Sequence, residues 1–316
     1  MAFFSGNKQA DDQDETAKNI FMFELVQKNI LITGANGQLG NEIRRASVNH
    51  EKNFRFFFTD VAELDITSPE AIDSYLKENN INYIINCAAY TAVDKAEEDV
   101  ELCYKINKDA AINLGIAATN SNAKVIHIST DYVYDGYKTE PYIETDSTNP
   151  QSVYGKSKWE GENGLMEACP ESIIIRTSWL YSIFGNNFVK TMIKYGKERD
   201  SLNVVADQKG TPTNAADLAH ALIKILDFSE ANRFESGIYH YSNEGVTTWY
   251  DFTLEIHKDA GIECVVNPIK TSEYPTKATR PQYSVLDKAK IKSTFQLIIP
   301  NWEESLNICV KELLSN

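Results

Sequence analysis

A short apolar run leads into a glycine-rich turn in the stretch Ile30-Leu31-Ile32-Thr33-Gly34-Ala35-Asn36-Gly37-Gln38-Leu39-Gly40. The apolar run predicts a strand that is buried on both faces of a parallel sheet. The glycines Gly34, Gly37 and Gly40 allow a tight turn and a close approach of the backbone to a ligand. A pyrophosphate binds well there, because the free N–H groups and the dipole of the following helix favour an anion. The stretch therefore predicts a dinucleotide-binding strand, turn and helix.

Four more apolar runs follow, and each ends in small or polar residues. They span residues 54–58, 83–85, 124–128 and 173–175. Helical patterns separate them, as where Ser68-Pro69-Glu70 resembles a helix start and Ile72, Tyr75 and Leu76 share one face. Strands that alternate with such helices form right-handed βαβ units. We therefore predict an α/β fold with a Rossmann-type doubly wound parallel sheet.

The character of the sequence changes after about residue 176, where the alternation becomes irregular and Pro, Tyr and Trp become frequent. This change predicts a smaller C-terminal substrate-binding lobe over the open edge of the sheet. The predicted organisation is an N-terminal extension at 1–28, a Rossmann domain at 29–175 and mainly the lobe at 176–316. A return segment near 204–245 is expected to rejoin the Rossmann domain.

Composition excludes several classes of protein. The chain has 316 residues, and 31 Lys and Arg residues against 45 Asp and Glu residues give a net charge of −14. Such a chain lacks the positive field of nucleic-acid-binding proteins, so no nucleic acid partner is expected. No apolar run approaches the roughly 18 residues of a membrane span, and the N-terminus is acidic, unlike a signal peptide. The five cysteines show no ligand or disulfide pattern. We predict a cytoplasmic protein with reduced thiols and no membrane partner.

An acidic residue follows the second apolar run. Asp60 lies 20 residues after Gly40, where a carboxylate can hydrogen-bond the ribose 2′-hydroxyl of NAD. The alternative interpretation is a solvated acid at the end of a strand. Asp60 would disfavour the 2′-phosphate of NADP unless a nearby Lys or Arg compensates, so either NADPH or NADH remains open as the coenzyme.

Tyr154 and Lys158 form a candidate catalytic pair. On a helix they are i and i+4, so both side chains lie on one face. A nearby ammonium is expected to lower the pKa of the phenol, which could then exchange a proton with a carbonyl oxygen. The same spacing occurs at Tyr104/Lys108 and Tyr134/Lys138, but only the pair at 154 and 158 opens a helix downstream of a strand that ends in Ser129-Thr130-Asp131.

Thr130 is a candidate for orienting the substrate. A hydroxyl at the carboxyl end of a central strand faces the crevice where α/β sheets bind ligands. There it can hydrogen-bond a carbonyl and hold it for Tyr154. The alternative is a hydroxyl that satisfies backbone groups at the strand end.

These motifs together resemble the extended short-chain dehydrogenase/reductases. The resemblance runs from about Asn29 to the C-terminus and is most specific for the branch that reduces the 4-keto group of a dTDP-sugar to give dTDP-L-rhamnose. It is carried by TGxxGxxG at 33–40, NCAAYTAVD at 86–94, STDYVY at 129–134, YGKSK at 154–158 and RTSW at 176–179.

The resemblance implies roles for individual residues. Tyr154 would be the proton donor, assisted by Lys158 and Thr130. The coenzyme would contact Gly34, Gly37, Gln38, Leu39, Gly40, Asp60, Asp65, Ile66, Ala89, Tyr90, Thr91 and Lys158. The dTDP-sugar would contact Thr130, Asp131 and Trp179, although Trp179 by itself could equally be a packing aromatic.

Members of the family can carry Mg²⁺ between glutamates at a dimer contact. Glu42 and Glu303 match two of these positions, but the third falls at Ala216, beside Asp217. Because one carboxylate is missing, we assign no metal ligands and leave Mg²⁺ doubtful. The expected assembly is a monomer or a homodimer.

The resemblance implies NADPH- or NADH-dependent reduction at C4 of dTDP-4-dehydro-β-L-rhamnose. Two alternatives remain open. A nucleotide-sugar dehydratase or epimerase could have this fold, but dehydratases place an Asp-Glu pair where this chain has Asp131-Tyr132. A non-enzymatic NAD(P)-binding regulatory subunit is also conceivable, because a relative serves as a partner of methionine adenosyltransferase; the intact Thr130, Tyr154 and Lys158 argue against it.

Overall fold

The computed structural model describes residues 27–315, so nearly all of the predicted extension at 1–28 lies outside the described residues. The described chain contains twelve strands: β1 (Lys28–Thr33), β2 (Phe54–Thr59), β3 (Tyr83–Asn86), β4 (Lys124–Thr130), β5 (Ser172–Thr177), β6 (Leu180–Tyr181), β7 (Ser201–Val205), β8 (Lys209–Gly210), β9 (Thr213–Asn214), β10 (Gly237–His240), β11 (Thr247–Thr248) and β12 (Val265–Ile269).

Helices connect most of these strands. They are α1 (Gln38–Ser47), α2 (Pro69–Glu78), α3 (Val93–Ala96), α4 (Val100–Tyr104), α5 (Ala110–Asn120), α6 (Val153–Ala168), α7 (Phe188–Glu198), α8 (Ala215–Ala231), α9 (Trp249–Ala260), α10 (Ala289–Phe295) and α11 (Trp302–Ser315). A π-helical turn at Lys105–Asp109 joins α4 to α5, and short 3₁₀ turns lie at Asp131–Val133 and Thr271–Glu273.

Six strands form one parallel sheet in the order β10-β5-β4-β3-β1-β2. From β1 the chain adds β2 on one side of the sheet, and from β3 it adds β4, β5 and β10 on the other side. The strand order therefore reverses between β1 and β3. Ligands of open α/β sheets bind outside the carboxyl ends of the strands at such a reversal. The predicted doubly wound Rossmann-type sheet is confirmed.

Both faces of the sheet are covered by helices. Ile30 and Ile32 of β1 pack into a core with α1, α8 and α10, whereas Leu31 packs into a second core with α2, α5 and α6. Successive side chains of a strand point to opposite faces. A strand buried on both sides is therefore apolar at every position, which is why β1 reads as a continuous apolar run.

Local signals fix the ends of several helices. The Ser68 hydroxyl accepts a hydrogen bond from the N–H of Ala71 at the start of α2, as the sequence predicts. Thr248 accepts from the N–H of Asp251 at the start of α9, and this helix ends at Gly261 in the left-handed conformation, with φ +63°.

A smaller lobe lies in the C-terminal part of the chain. Its core joins β7 and β12, which pair in parallel, to α7, α9 and α11 through side chains that include Phe252, Ile256 and Trp302. In contrast, α8 and β10 pack with the main sheet, so the C-terminal half contributes to both cores. No helix among residues 27–315 combines the length and apolar character that crossing a membrane requires.

Candidate active site

A cavity of about 920 Å³ opens where the carboxyl ends of the sheet strands meet the C-terminal lobe. It brings together residues that are far apart in the sequence, from the glycine turn at one end to α9 at the other. The predicted site residues that line it are Gly34, Gly37, Gln38, Leu39, Gly40, Asp60, Asp65, Ile66, Ala89, Thr91, Thr130, Asp131, Tyr154, Lys158 and Trp179.

The glycine turn packs closely against the chain's own backbone. Gly34 has φ +63°, and a Cβ added there would lie 2.7 Å from the nitrogen of Ala88. A Cβ at Gly40 would lie 2.5 Å from the Cα of Ala35. Gly37 caps α1 without any side-chain hydrogen bond, which leaves N–H groups of the first turn available to an anion. This turn fits the diphosphate of a dinucleotide.

Asp60 lies beside this turn, and Asp65 lines the same cavity. The carboxylate of Asp60 accepts hydrogen bonds from the N–H groups of Asn36, at 3.1 Å, and Val61, at 2.8 Å. Asp60 therefore borders the glycine turn, where a nucleotide ribose would lie. The side chain and N–H of Thr67 both donate to Asp65 and hold the pKa of its carboxyl below the usual value.

Tyr90 is the one predicted site residue that does not line the cavity. Its hydroxyl donates to Asp99 at 2.9 Å, and its N–H donates to the side-chain oxygen of Asn107 at 2.8 Å. These bonds tie the segment after β3 to α4 and the π-helical turn. Ala89 and Thr91, on either side of Tyr90, do line the cavity.

Tyr154 and Lys158 lie in the first turns of α6, which Ser152 caps by accepting from the N–H of Gly155 at 3.1 Å. Both side chains face the cavity. Lys158 is 1% exposed, and its Nζ donates to the backbone oxygen of Ile128 at 2.7 Å. The same Nζ lies 3.1 Å from Nε2 of His127.

The expectation that the pKa of Tyr154 is lowered is wrong for this structure. Burial raises the pKa of Tyr154 above its usual value, and a hydrogen bond with Thr130 opposes this effect only in part. The nearby carboxyl of Asp131 and the ring of Tyr132, 5.5 Å away between centroids, also disfavour a phenolate. Tyr154 is thus held as a neutral phenol, which is the form that donates a proton.

The other two pairs with the same spacing are not in the cavity. The hydroxyl of Tyr134 accepts from Arg176 at 2.8 Å inside a separate aromatic core. Tyr104 and Lys108 both contact Glu160, with the ion pair at 2.9 Å. Tyr154 and Lys158 therefore differ from the other two pairs in their position, which is at the start of a helix that follows β4.

The lobe side of the cavity is aromatic. Trp179 adopts φ +49° and stacks on Trp249, with ring centroids 3.5 Å apart and planes at 12°. A Cβ at Gly210 would lie 2.6 Å from the Trp179 ring, so this glycine leaves room for the stack. Asp131 is also buried here, and burial raises its pKa to about 7.

Sequence reasoning missed several residues that line the cavity. Trp249 and Arg280 contribute from the lobe, and Arg280 donates to Asp94 at 2.6 Å and to Tyr132 at 3.3 Å. No spacing in the sequence relates them to Tyr154. The frequent aromatic residues after position 176 were the only signal for Trp249. Asn187, which donates to Gln38 at 3.0 Å, was missed for the same reason.

Glu42 and Asp217, two of the carboxylates considered for Mg²⁺, have partners within the chain. Glu42 is buried in α1 and accepts from the hydroxyl of Ser182 at 2.6 Å, and burial raises the pKa of Glu42. Asp217 of α8 accepts from Asn243 at 2.7 Å and from Ser305 at 2.5 Å. Ala216 carries no ligand atom in its side chain, so the doubt about Mg²⁺ stands.

Known proteins share this combination of sheet, turn and Tyr-Lys pair. The sequence profile of the RmlD substrate binding domain matches residues 28–315. The chain belongs to the RmlD substrate binding domain family. A dTDP-4-dehydrorhamnose reductase of Aggregatibacter actinomycetemcomitans is 44% identical over 284 residues, which cover 88% of this chain and 96% of that protein.

Solved structures of RmlD relatives have the same fold. A dTDP-4-dehydrorhamnose reductase from Clostridium acetobutylicum superposes with a TM-score of 0.86 at 46% identity, covering 90% of this chain and 99% of that one. The enzyme of the same name from Bacillus anthracis, in complex with NADP, gives a TM-score of 0.86 at 39% identity, covering 91% and 100%. These comparisons confirm the predicted resemblance to the reductases that give dTDP-L-rhamnose.

Proposed function

We propose that the chain is an NAD(P)H-dependent oxidoreductase that reduces the C4 keto group of dTDP-4-dehydro-β-L-rhamnose, giving dTDP-L-rhamnose. The relatives named as dTDP-4-dehydrorhamnose reductases match nearly the whole chain. The observation that carries the proposal is geometric. Thr130, Tyr154 and Lys158 line the same cavity as the glycine turn, so an acid stands beside the place for a dinucleotide.

The coenzyme site is assembled from the strand ends. The diphosphate would bind at the start of α1, against the glycine turn. The residues of this turn are Gly34, Gly37, Gln38, Leu39 and Gly40. The ribose rings would contact Asp60 on one side and Lys158 on the other. Asp65, Ile66, Ala89 and Thr91 would complete the walls. Reduced nicotinamide, when bound, supplies the hydride.

Tyr154 supplies the proton. As hydride adds to C4, the carbonyl oxygen gains negative charge and takes the proton from the Tyr154 hydroxyl, so that one hydride and one proton convert the ketone to an alcohol. Thr130 hydrogen-bonds the reacting oxygen and orients it. Asp131 and Trp179 would hold the sugar nucleotide on the lobe side, with Trp249 stacked behind Trp179.

A spectroscopic assay tests this proposal. We expect loss of the absorbance of reduced nicotinamide when the purified protein is mixed with dTDP-4-dehydrorhamnose, and one equivalent of dTDP-L-rhamnose for each coenzyme oxidised. Turnover of the sugar without net oxidation of coenzyme would indicate a dehydratase or epimerase instead. A stoichiometric protein complex without any turnover would indicate the regulatory subunit.

Coenzyme choice is tested at Asp60. We expect Asp60→Ala to raise the KM for NADH roughly ten- to a hundredfold, because it removes a charge-assisted hydrogen bond to the ribose worth about 1.5–3 kcal/mol. The KM for NADPH should stay unchanged or fall, because the substitution also removes a charge that repels the 2′-phosphate. Initial rates with both coenzymes measure the ratio. An equal rise in both KM values would contradict a ribose contact.

Location in the cytoplasm and the choice between monomer and homodimer stay predictions of the sequence.

A further inference from the structure

A line of buried hydrogen-bonding side chains runs beneath the cavity from β1 to α6. Thr33 donates to Oδ1 of Asn86 at 2.7 Å, Nδ2 of Asn86 lies 2.9 Å from Nδ1 of His127, and Nε2 of His127 lies 3.1 Å from Nζ of Lys158. Each of the four residues is 1% exposed. Asn86 and His127 do not line the cavity, whereas Thr33 and Lys158, at the two ends of the line, do.

The backbone fixes which way the Asn86 amide points. Oδ1 of Asn86 accepts from the N–H of Ala88 at 3.1 Å as well as from Thr33. A backbone N–H can only donate, so turning the amide round would set its NH₂ group against another donor. The NH₂ group of Asn86 therefore faces His127 and donates to its Nδ1.

This bond fixes the tautomer of His127. Burial holds the pKa of His127 well below its usual value, so the ring is neutral and carries one hydrogen. Because Nδ1 accepts from Asn86, that hydrogen is on Nε2 and points at Lys158. An ammonium has no lone pair to accept it, whereas a neutral amine accepts it and still donates to Ile128.

We propose that Asn86 and His127 are positioning residues that present an Nε2–H to Lys158, stabilise its neutral amine and thereby make its ammonium form a ready proton donor to the Tyr154 phenolate. This inference rests on the proposed reductase function and deepens it. When Tyr154 has given its proton to the substrate, the Lys158 ammonium passes one proton to the phenolate oxygen and becomes the neutral amine. A proton from solvent then restores the ammonium.

Burial of Lys158 acts in the same direction as the bond from His127, whereas the charged or titratable groups around Lys158 oppose it. Burial lowers the pKa of Lys158 to about 8. The charged or titratable groups that face it are Glu162 on α6, Cys87 after β3 and Cys103 on α4, all of which raise that pKa. Glu162 is neutralised by its ion pair with Arg176 of β5, at 2.6 Å. Hydrogen bonding to the neutral form therefore adds to desolvation.

The first test is the tautomer itself, which requires no turnover. In protein labelled with ¹⁵N-histidine, we expect the ring signal of His127 to show a protonated Nε2 and an unprotonated Nδ1 at pH 7. The signal is assigned by its loss in His127→Gln. In Asn86→Asp, the carboxylate accepts from Nδ1, so we expect the hydrogen to move to Nδ1. A wild-type ring with hydrogen on Nδ1 would overturn the proposal.

The second test is the pH profile of kcat. The ammonium is the donating form, so kcat falls as pH rises through the Lys158 pKa. In His127→Gln the amide oxygen can turn toward Lys158 and accept from its ammonium, so the falling limb should move up by about one pH unit without any added charge. The KM values for both coenzymes should change less than about threefold, because His127 touches neither ligand.

Asn86→Asp should move the limb in the same direction. Asn267→Asp on exposed β12 is the matched control for the added charge, and its pH profile should equal that of the wild type. A limb that stays in place in His127→Gln overturns the proposal even if the protein is an active reductase. Failure of the reductase proposal would instead appear as absence of turnover in the wild type, with the tautomer unchanged.

Discussion

Tyr154→Phe is expected to lower kcat by about 10²–10⁴, the usual contribution of a general acid. The substitution removes only the hydroxyl, and the ring can keep its edge-to-face contact with Tyr132. With the neutral phenol gone, the developing alkoxide must take its proton from water or from Lys158. Steady-state kinetics with a saturating coenzyme measure the loss. Coenzyme affinity, measured by quenching of protein fluorescence, should change little, because the glycine turn is untouched.

Tyr104→Phe is the matched control for this prediction. Tyr104 also precedes a lysine by four residues and lies on a helix, but its hydroxyl donates to Glu160 outside the cavity. We expect kcat of Tyr104→Phe to stay within about twofold of the wild type. Normal turnover of Tyr154→Phe would remove Tyr154 from its assigned role. An equal loss in both variants would point to a structural defect rather than to proton transfer.

Local patterns in the sequence predicted much of the fold and of the site. The strand and glycine turn at 30–40 are adjacent along the chain, so their periodicity and spacing reveal both the sheet and the start of α1. The pair Tyr154 and Lys158 lies within one helical turn, so its spacing is also a local signal. Position in the fold then separates it from the two pairs of equal spacing.

Other features depend on contacts between distant residues and could not be predicted in this way. His127 reads as one more residue of a buried strand, and only its register against Asn86 in the sheet reveals the bonded line to Lys158. Trp249 meets Trp179 only because α9 folds back over the cavity. The pKa of Tyr154 was expected to fall because the sequence shows a nearby lysine but does not show the degree of burial.

The second large effect concerns the buried ion pair between Arg176 of β5 and Glu162 of α6, the helix that carries Tyr154 and Lys158. Arg176 of β5 donates through Nε and Nη2 to Glu162 of α6, at distances from 2.6 to 3.2 Å, and through Nη1 to Tyr134. The side chains of Arg176 and Glu162 are 3% and 0% exposed. Removing one partner of such a pair leaves a buried charge without compensation.

We expect Arg176→Met to lower the free energy of unfolding by about 3–5 kcal/mol, measured by urea denaturation at pH 8. Without Arg176, the carboxylate of Glu162 stays in the interior of the fold without an opposite charge. Adding Glu162→Leu to Arg176→Met removes the uncompensated charge and should recover most of the loss. A loss below about 1 kcal/mol in the single variant would mean that water reaches Glu162 and that α6 is less firmly packed on β5 than the ion pair indicates.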